Sequence, residues 1–365
     1  MDFYISKEEV VKSLNTTIGV VEKRHTTPIL SNVLIEVDES SLKLTASDQE
    51  SEISTRSTIS NFKSGGKTTA PARKLYDLCR LLPDLTNIHF FLDGYNLKIE
   101  TESGKYNIPT MPSEDFPVFE PEEVKSQINI SSKNLKKIIS NTSFVIEIQG
   151  VKDFLNGLYL SIDDKTITAV ATDGHRMAMD SATLNEAASE NIDGIVPKKA
   201  IIEIGRLVGE ESENVVIKLG RTSISINISG TTFVSNLIAR KFPDYEQMIP
   251  SGESSTLVVD RKMFSESLSR VSVFSGEDKL GTILKFLTKE NSLIISAINE
   301  GGEENLVCEY KGEEIEIGFN IYYIQQILST INSDKVVIDF FGSDRCTIID
   351  PTSNDLKYVV MAYRI

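Results

Sequence analysis

The chain has 365 residues, 40% of them hydrophobic and 25% charged, which suits a folded protein of two or three domains. Its longest apolar stretch, Ile315 to Ile331, is broken by Glu316, Asn320, Gln325 and Gln326, and the N-terminus is acidic by residue 2, so neither a membrane span nor a secretory leader is expected. Three scattered cysteines (Cys79, Cys308, Cys346) and three scattered histidines (His25, His89, His175) exclude a cystine scaffold and a Cys/His zinc site, and leave any metal to carboxylates.

In chain order, the first helix signal is SKEEVVKSL from Ser6, where Ser6 and Glu9 have the spacing of a capping box. Alternating apolar and polar residues then predict strands over 32–37 and 41–45. Pro71 opens a second helix, PARKLYDLCRLLP. Leu75, Leu78, Cys79 and Leu82 fall on one face of it, and Arg73, Asp77 and Arg80 on the other. A strand over 87–92 leads into a hairpin at Asp93-Gly94, and FPVFEP closes the segment at 116–121.

The same succession then returns. A helix starts at Ser131 with Lys133, Lys136 and Lys137 opposite Leu135, Ile138 and Ile139. Strands follow over 158–162 and 166–170, and PKKAIIEIGRLVG from Pro197 repeats the charge pattern of the Pro71 helix with Lys199, Glu203 and Arg206. Strands over 215–219 and 223–228, a hairpin at Ser229-Gly230 and FPDYEQMIP at 242–250 close the second round. A third begins with DRKMFSESL at Asp260, adds a strand over 293–298, and has a looser copy of the second helix at 319–332. The chain therefore divides into three units, 1–125, 126–252 and 253–365.

A net charge of −15 argues against a nucleic-acid partner if it is evenly spread. It is not: the six helical segments together hold +9, which leaves −24 on the remainder. A solvated helix face explains one such segment. Five basic helices in so acidic a chain fit a surface that attracts phosphate in one place and repels it elsewhere.

AVATDGHRMAM around Thr172–Arg176, PARK at 71–74, KFPDY at 241–245, IGFN at 317–320 and the terminal YVVMAYRI resemble the bacterial DNA polymerase III beta subunit family, the sliding clamps, over the whole length. The resemblance implies an α+β fold of three repeated DNA-clamp-type domains, each with two helices packed on antiparallel sheets. Two copies would close head to tail into a ring, helices lining the hole and sheets outside. It implies a cytoplasmic, nucleoid-associated, non-catalytic processivity factor without cofactor or metal, which encircles duplex DNA without reading its sequence. DNA-facing candidates are Arg24, Arg73, Arg80, Lys136, Gln149, Lys198, Lys199 and Arg206.

A pocket for short peptide motifs is also implied by the resemblance, with the DNA polymerase III alpha subunit, the clamp loader, other polymerases, ligase and mismatch-repair proteins as its partners. It maps onto Leu155, Thr172, Gly174, His175, Arg176, Met177, Pro243, Met248, Val359, Val360, Met361, Arg364 and Ile365. Its apolar members and adaptable methionines suit several hydrophobic anchors. Ala362 and Tyr363 stand where the family usually has Pro and a smaller apolar residue, which bears on the pocket's rim and peptide preference. For His175, a structural role beside Asp173 is preferred to catalysis. The dimer contact maps onto Tyr106 and Ile108 in the first unit and Val273 and Phe274 in the last.

Other readings have less support. SGGKTT at 64–69 lacks the P-loop's first Gly, since position 61 is Asn61, and reads as a turn. Asp163, Asp164 and Asp173 could serve a carboxylate-metal hydrolase in a tandem-domain enzyme, yet Asp163-Asp164 sits at a hairpin where acidic residues are common, and no G-x-S-x-G elbow occurs. A specialised clamp paralogue for a restricted repair or stress pathway stays open at this stage.

Overall fold

A computed structural model describes residues 1–21, 27–120, 122–147, 150–209, 214–274, 283–289, 291–298 and 301–363. They form two compact units. One comprises 1–133, 188–190 and 199–237, the other 134–187, 191–198 and 238–365. The middle repeat is thus shared out between the two, because its strands join the sheets of both neighbours.

In the first unit a five-stranded antiparallel sheet runs in the order Asn61–Ser64, Asp2–Ser6, Asn87–Asp93, Asn96–Glu100, Lys105–Pro109. An eight-stranded sheet joins Ser126–Ser131, Asn214–Leu219, Ser223–Ile228 and Thr231–Asn236 to Ser51–Thr58, Ser41–Ser47, Asn32–Val37 and Gly66–Pro71. The seam is a full antiparallel pairing in which Phe233 faces Ile53 and Val234 faces Glu52. Helices α1 (Lys7–Thr17) and α2 (Ala72–Leu81) pack against each other and bury Val10 and Leu14 with Leu75 and Cys79. The capping box is half realised: the Ser6 hydroxyl accepts the Glu9 amide at 3.3 Å.

Helices α3 (Ser132–Thr142) and α4 (Lys198–Leu207) each begin at a boundary between the units. In the second unit a nine-stranded sheet carries the middle repeat's strands Ile192–Pro197, Gly157–Asp163, Thr166–Thr172 and Arg176–Thr183. These continue into Lys357–Met361, Arg345–Ile349, Lys335–Phe341, Ser255–Asp260 and Glu309–Lys311. A four-stranded sheet of Glu303–Val307, Ser292–Ala297, Ile283–Lys289 and Ile315–Asn320 completes it. Helices α5 (Arg261–Ser272) and α6 (Ile321–Thr330) repeat the first pair, α5 with its Asp260 cap accepting the Met263 amide at 2.8 Å. Their buried faces meet a core that includes Phe264, Phe286, Phe319 and Phe340.

Strand alternation locates the elements well: the strands at Asn32–Val37 and Ser223–Ile228 have the expected bounds. Ser229 and Gly230, both at positive φ, form the expected two-residue hairpin turn. Two expectations are corrected. SGGKTT is not a turn: Ser64 ends the strand Asn61–Ser64, and after Gly65 alone the edge strand Gly66–Pro71 pairs with Asn32–Val37. The last helix begins at Ile321 rather than Phe319, because Phe319 and Asn320 still pair with the strand Ile283–Lys289.

Candidate functional site

The TDGHR segment is a tight turn between two strands, held by its own side chains. The Asp173 carboxylate accepts the amides of His175 at 2.9 Å and Arg176 at 3.0 Å, and the Thr172 hydroxyl accepts that of Gly174 at 3.1 Å. Gly174 sits at φ +88°, a left-handed conformation that a side chain would strain. Arg176 is pulled back over the turn. Its Nε donates to Asp173 at 2.9 Å while its guanidinium lies 4.4 Å from the Tyr323 ring centre and 5.4 Å from that of Phe144. Burial, and then the Asp173 charge, raise the pKa of the Tyr323 phenol. His175 is exposed and roughly parallel to Tyr323 at 6.4 Å, and only its backbone amide, not its ring, bonds to Asp173.

Beside this turn lies a groove of about 430 Å³. Of the peptide-site candidates, Leu155, Thr172, Gly174, His175, Arg176 and Met177 line one part of it, and Pro243, Met248, Val359 and Met361 the rest. Val360 does not. Successive strand residues point to opposite faces, so Val359 and Met361 reach the groove and Val360 is buried on the other side, level with Cys346. Arg364 and Ile365 lie outside the described residues. Lys152, Phe154, Gln247 and Arg345 also line the groove and were missed. The signal for Arg345 was available only from pairing, since it stands opposite Met361 on the neighbouring strand. The rim residue Tyr363 is fixed through its backbone, its amide donating to the Gly318 carbonyl at 2.8 Å.

The groove's floor belongs to a cluster in which Met177, Val359 and Phe242 are buried, with Phe154, Tyr245 and Met248 packed against them. Lys152, Arg176 and Arg345 are its charged lining residues among those described, and none of the described lining residues is a carboxylate. The arrangement offers hydrophobic anchoring with polar groups at the edge. It holds no nucleophile with a base, and among the described residues no cluster of three His, Cys, Asp or Glu could grip a metal ion.

The cationic candidates on the helices are more committed to the protein than their sequence positions suggest. Arg73 donates to the Val21 carbonyl at 2.8 Å. Lys198 donates to that of Ile146 at 2.7 Å, and burial lowers its pKa. Lys199 lies 2.5 Å from the buried Asp48 carboxylate. Arg206 pairs with Glu203 at 2.9 Å and donates to the carbonyls of Asn15 and Thr16 at the end of α1, at 3.1 and 2.6 Å. Arg80 is exposed, 3.7 Å from Asp77, and Lys136 is half-buried. Arg24 and Gln149 lie outside the described residues. Exposed lysines on the same helices, Lys12, Lys74, Lys133 and Lys137, are further basic groups there.

At the proposed dimer contact, Val273 and Phe274 are exposed at the end of α5, 79% and 54%, and Tyr106 lies on the sheet-edge strand Lys105–Pro109. Ile108 on that strand is 1% exposed and faces inward, so its side chain offers a partner nothing. The sheet-edge strand Glu303–Val307 is tied to α5 by a two-pronged ion pair, Glu304 receiving Arg270 at 2.5 and 2.8 Å.

Three consecutive family models match the chain: the N-terminal domain of the DNA polymerase III beta subunit over residues 1–120, its central domain over 129–244 and its C-terminal domain over 246–364. The beta sliding clamp of Pseudomonas aeruginosa is 36% identical over 370 residues, and that of Escherichia coli K12 30% identical over 369, each alignment covering 100% of both chains. A crystal structure of the P. aeruginosa subunit superposes with a TM-score of 0.97 at 34% identity, and one of the P. aeruginosa clamp bound to griselimycin with 0.96, both over 100% of each chain.

Proposed function

Because the chain belongs to the DNA polymerase III beta subunit family, we propose that it closes with a second copy into a ring whose basic helix faces line the hole, and that its partners dock in the groove beside the TDGHR turn. Its function is that of a DNA sliding clamp, a non-catalytic processivity factor that works with DNA and the replicative polymerase inside the cell. The observation that carries this is the match of all three family domains in order along one chain. The domain limits 1–125, 126–252 and 253–365 are part of the proposal, as is association with the nucleoid.

Ring closure would use the two sheet edges, Lys105–Pro109 of one copy beside Glu303–Val307 of the other, with Tyr106, Val273 and Phe274 covered at the contact. Positive charge is supplied by helix residues that touch phosphates without reading bases, which permits sliding. Arg80 and Lys136 are the described candidates for that task, joined by Arg24 and Gln149 from the sequence. Arg73, Lys198, Lys199 and Arg206 would contribute charge from fixed positions.

The groove would receive short hydrophobic peptide segments of the alpha subunit, the clamp loader, other polymerases, ligase and mismatch-repair proteins. The P. aeruginosa clamp binds griselimycin, and the same ligand should bind this chain once per protomer. Deleting residues 361–365 should abolish griselimycin binding and leave the dimer intact; unchanged affinity would remove the groove from the account.

A further inference from the structure

Next to the groove, and sharing Pro243 with it, is a second depression of about 860 Å³ whose charge has the opposite sign. Its floor is the outer face of the strand pair Gly157–Asp163 and Thr166–Thr172, where Ser161 stands opposite Thr168 and Asp163 opposite Thr166. Its wall is the segment 241–246. Two tyrosines shape it: Tyr159 stacks on the buried Phe242 ring at 4.7 Å and lies 5.8 Å from that of Tyr245. Around them stand the exposed carboxylates of Asp163, Asp244 and Glu246, against one lining cation, Lys241.

Half-buried aromatic rings edged by carboxylates are the surroundings that guanidinium and ammonium groups prefer, through cation–π contact and charge. The groove on the other side of Pro243 has Lys152, Arg345 and Arg176, the last paired with Asp173, and no carboxylate among its described lining residues. A bound peptide therefore meets a reversal of sign as it leaves the groove past Pro243. We infer that this depression is an extension site for the peptide, taking basic residues that flank the hydrophobic anchors on one side. It would select among partners by the charge of the flank, and it rests on the groove reading above. Because the anchors already hold the flank close by, weak exposed contacts suffice to change affinity.

The test uses the full-length dimer and a labelled decapeptide selected on it from a random library, retained only if griselimycin displaces it. The same peptide is then made with three lysines or three glutamates appended at either end. Lysines at one end should tighten binding about fivefold, as two or three exposed ion pairs allow, and glutamates there should weaken it. In the Asp163→Asn, Glu246→Gln double variant the unextended peptide should bind as before while the lysine gain disappears. A remote double variant of equal charge, Glu39→Gln with Asp115→Asn, should keep that gain. An equal gain at both ends, or one that survives the first variant, would show general attraction to an acidic protein and overturn the extension site. Failure to obtain any griselimycin-displaceable peptide would overturn the groove reading, and the inference with it.

Discussion

Arg176 and Asp173, three residues apart, form an ion pair between a buried arginine and a half-buried aspartate in which Nε lies 2.9 Å from Oδ2, and the rings of Phe144 and Tyr323 flank the guanidinium. The most recognisable motif of the sequence is thus a turn that braces itself. Its arginine shapes the groove wall from within.

Replacing Arg176 with Ala would leave the half-buried Asp173 with its two backbone amides but no cation, and Tyr323 without its cation too. A loss of about 2 kcal/mol in unfolding free energy is expected, with weaker griselimycin binding. Arg176→Lys should recover part of the stability, since it keeps the charge and loses the planar fork. Denaturant unfolding and ligand titration check both; an unaltered midpoint for Arg176→Ala would contradict the bracing role.

Arg206 closes the C-terminal end of α1 by donating to two carbonyls that have no partner within the helix. Arg206→Ala should therefore cost about 1 kcal/mol in stability, through a shifted chemical midpoint. Arg80→Ala, by contrast, removes an exposed cation. It should leave stability unchanged, weaken DNA association equally on all sequences and flatten its salt dependence. A dependence on DNA sequence would count against sliding.

Phe274→Asp replaces an exposed ring with a charge beside the still more exposed Val273. Light scattering should then give the monomer mass. A dimer of normal strength would mean that this end of α5 does not form the contact.

Burial raises the pKa of Glu52, and the amide of Phe119, which donates to it at 2.9 Å, only partly offsets this. A carboxyl raised on folding stabilises the protein fully below its unfolded pKa and loses that contribution as pH rises through the folded value. Glu52→Gln keeps an acceptor for Phe119 and removes the charge. Its unfolding temperature should exceed the wild type's at pH 7.5, with the difference shrinking toward pH 4. A constant difference would assign the effect to packing instead.

Repeat, helix faces and strands were readable in the sequence because period and spacing dictate them. The Asp48 turn even copies the Asp173 turn: the Asp48 carboxylate accepts the amides of Glu50 and Ser51, and the Ser47 hydroxyl that of Gln49. What differs is the next position, where Glu52 faces Val234 as Met177 faces Val359. An apolar floor thus exists beside one turn and an acidic one beside the other. Pairwise commitments were not readable: that Arg206 reaches α1, 190 residues earlier, or that Lys199 meets Asp48, depends on strands joining across repeats. Val360 and Ile108 came from the family resemblance by position alone: the pleat turns Val360 to the face opposite Val359 and Met361, while Ile108, on the same face as Tyr106, is 1% exposed where Tyr106 is 38% exposed.

A closed ring around duplex DNA has a distinctive outline, which class averages of negatively stained particles of the purified 365-residue chain would reveal. A two-protomer ring with a hole wide enough for a duplex is the expected image. A compact particle without a hole would contradict the account and leave the basic helix faces to be explained in another way.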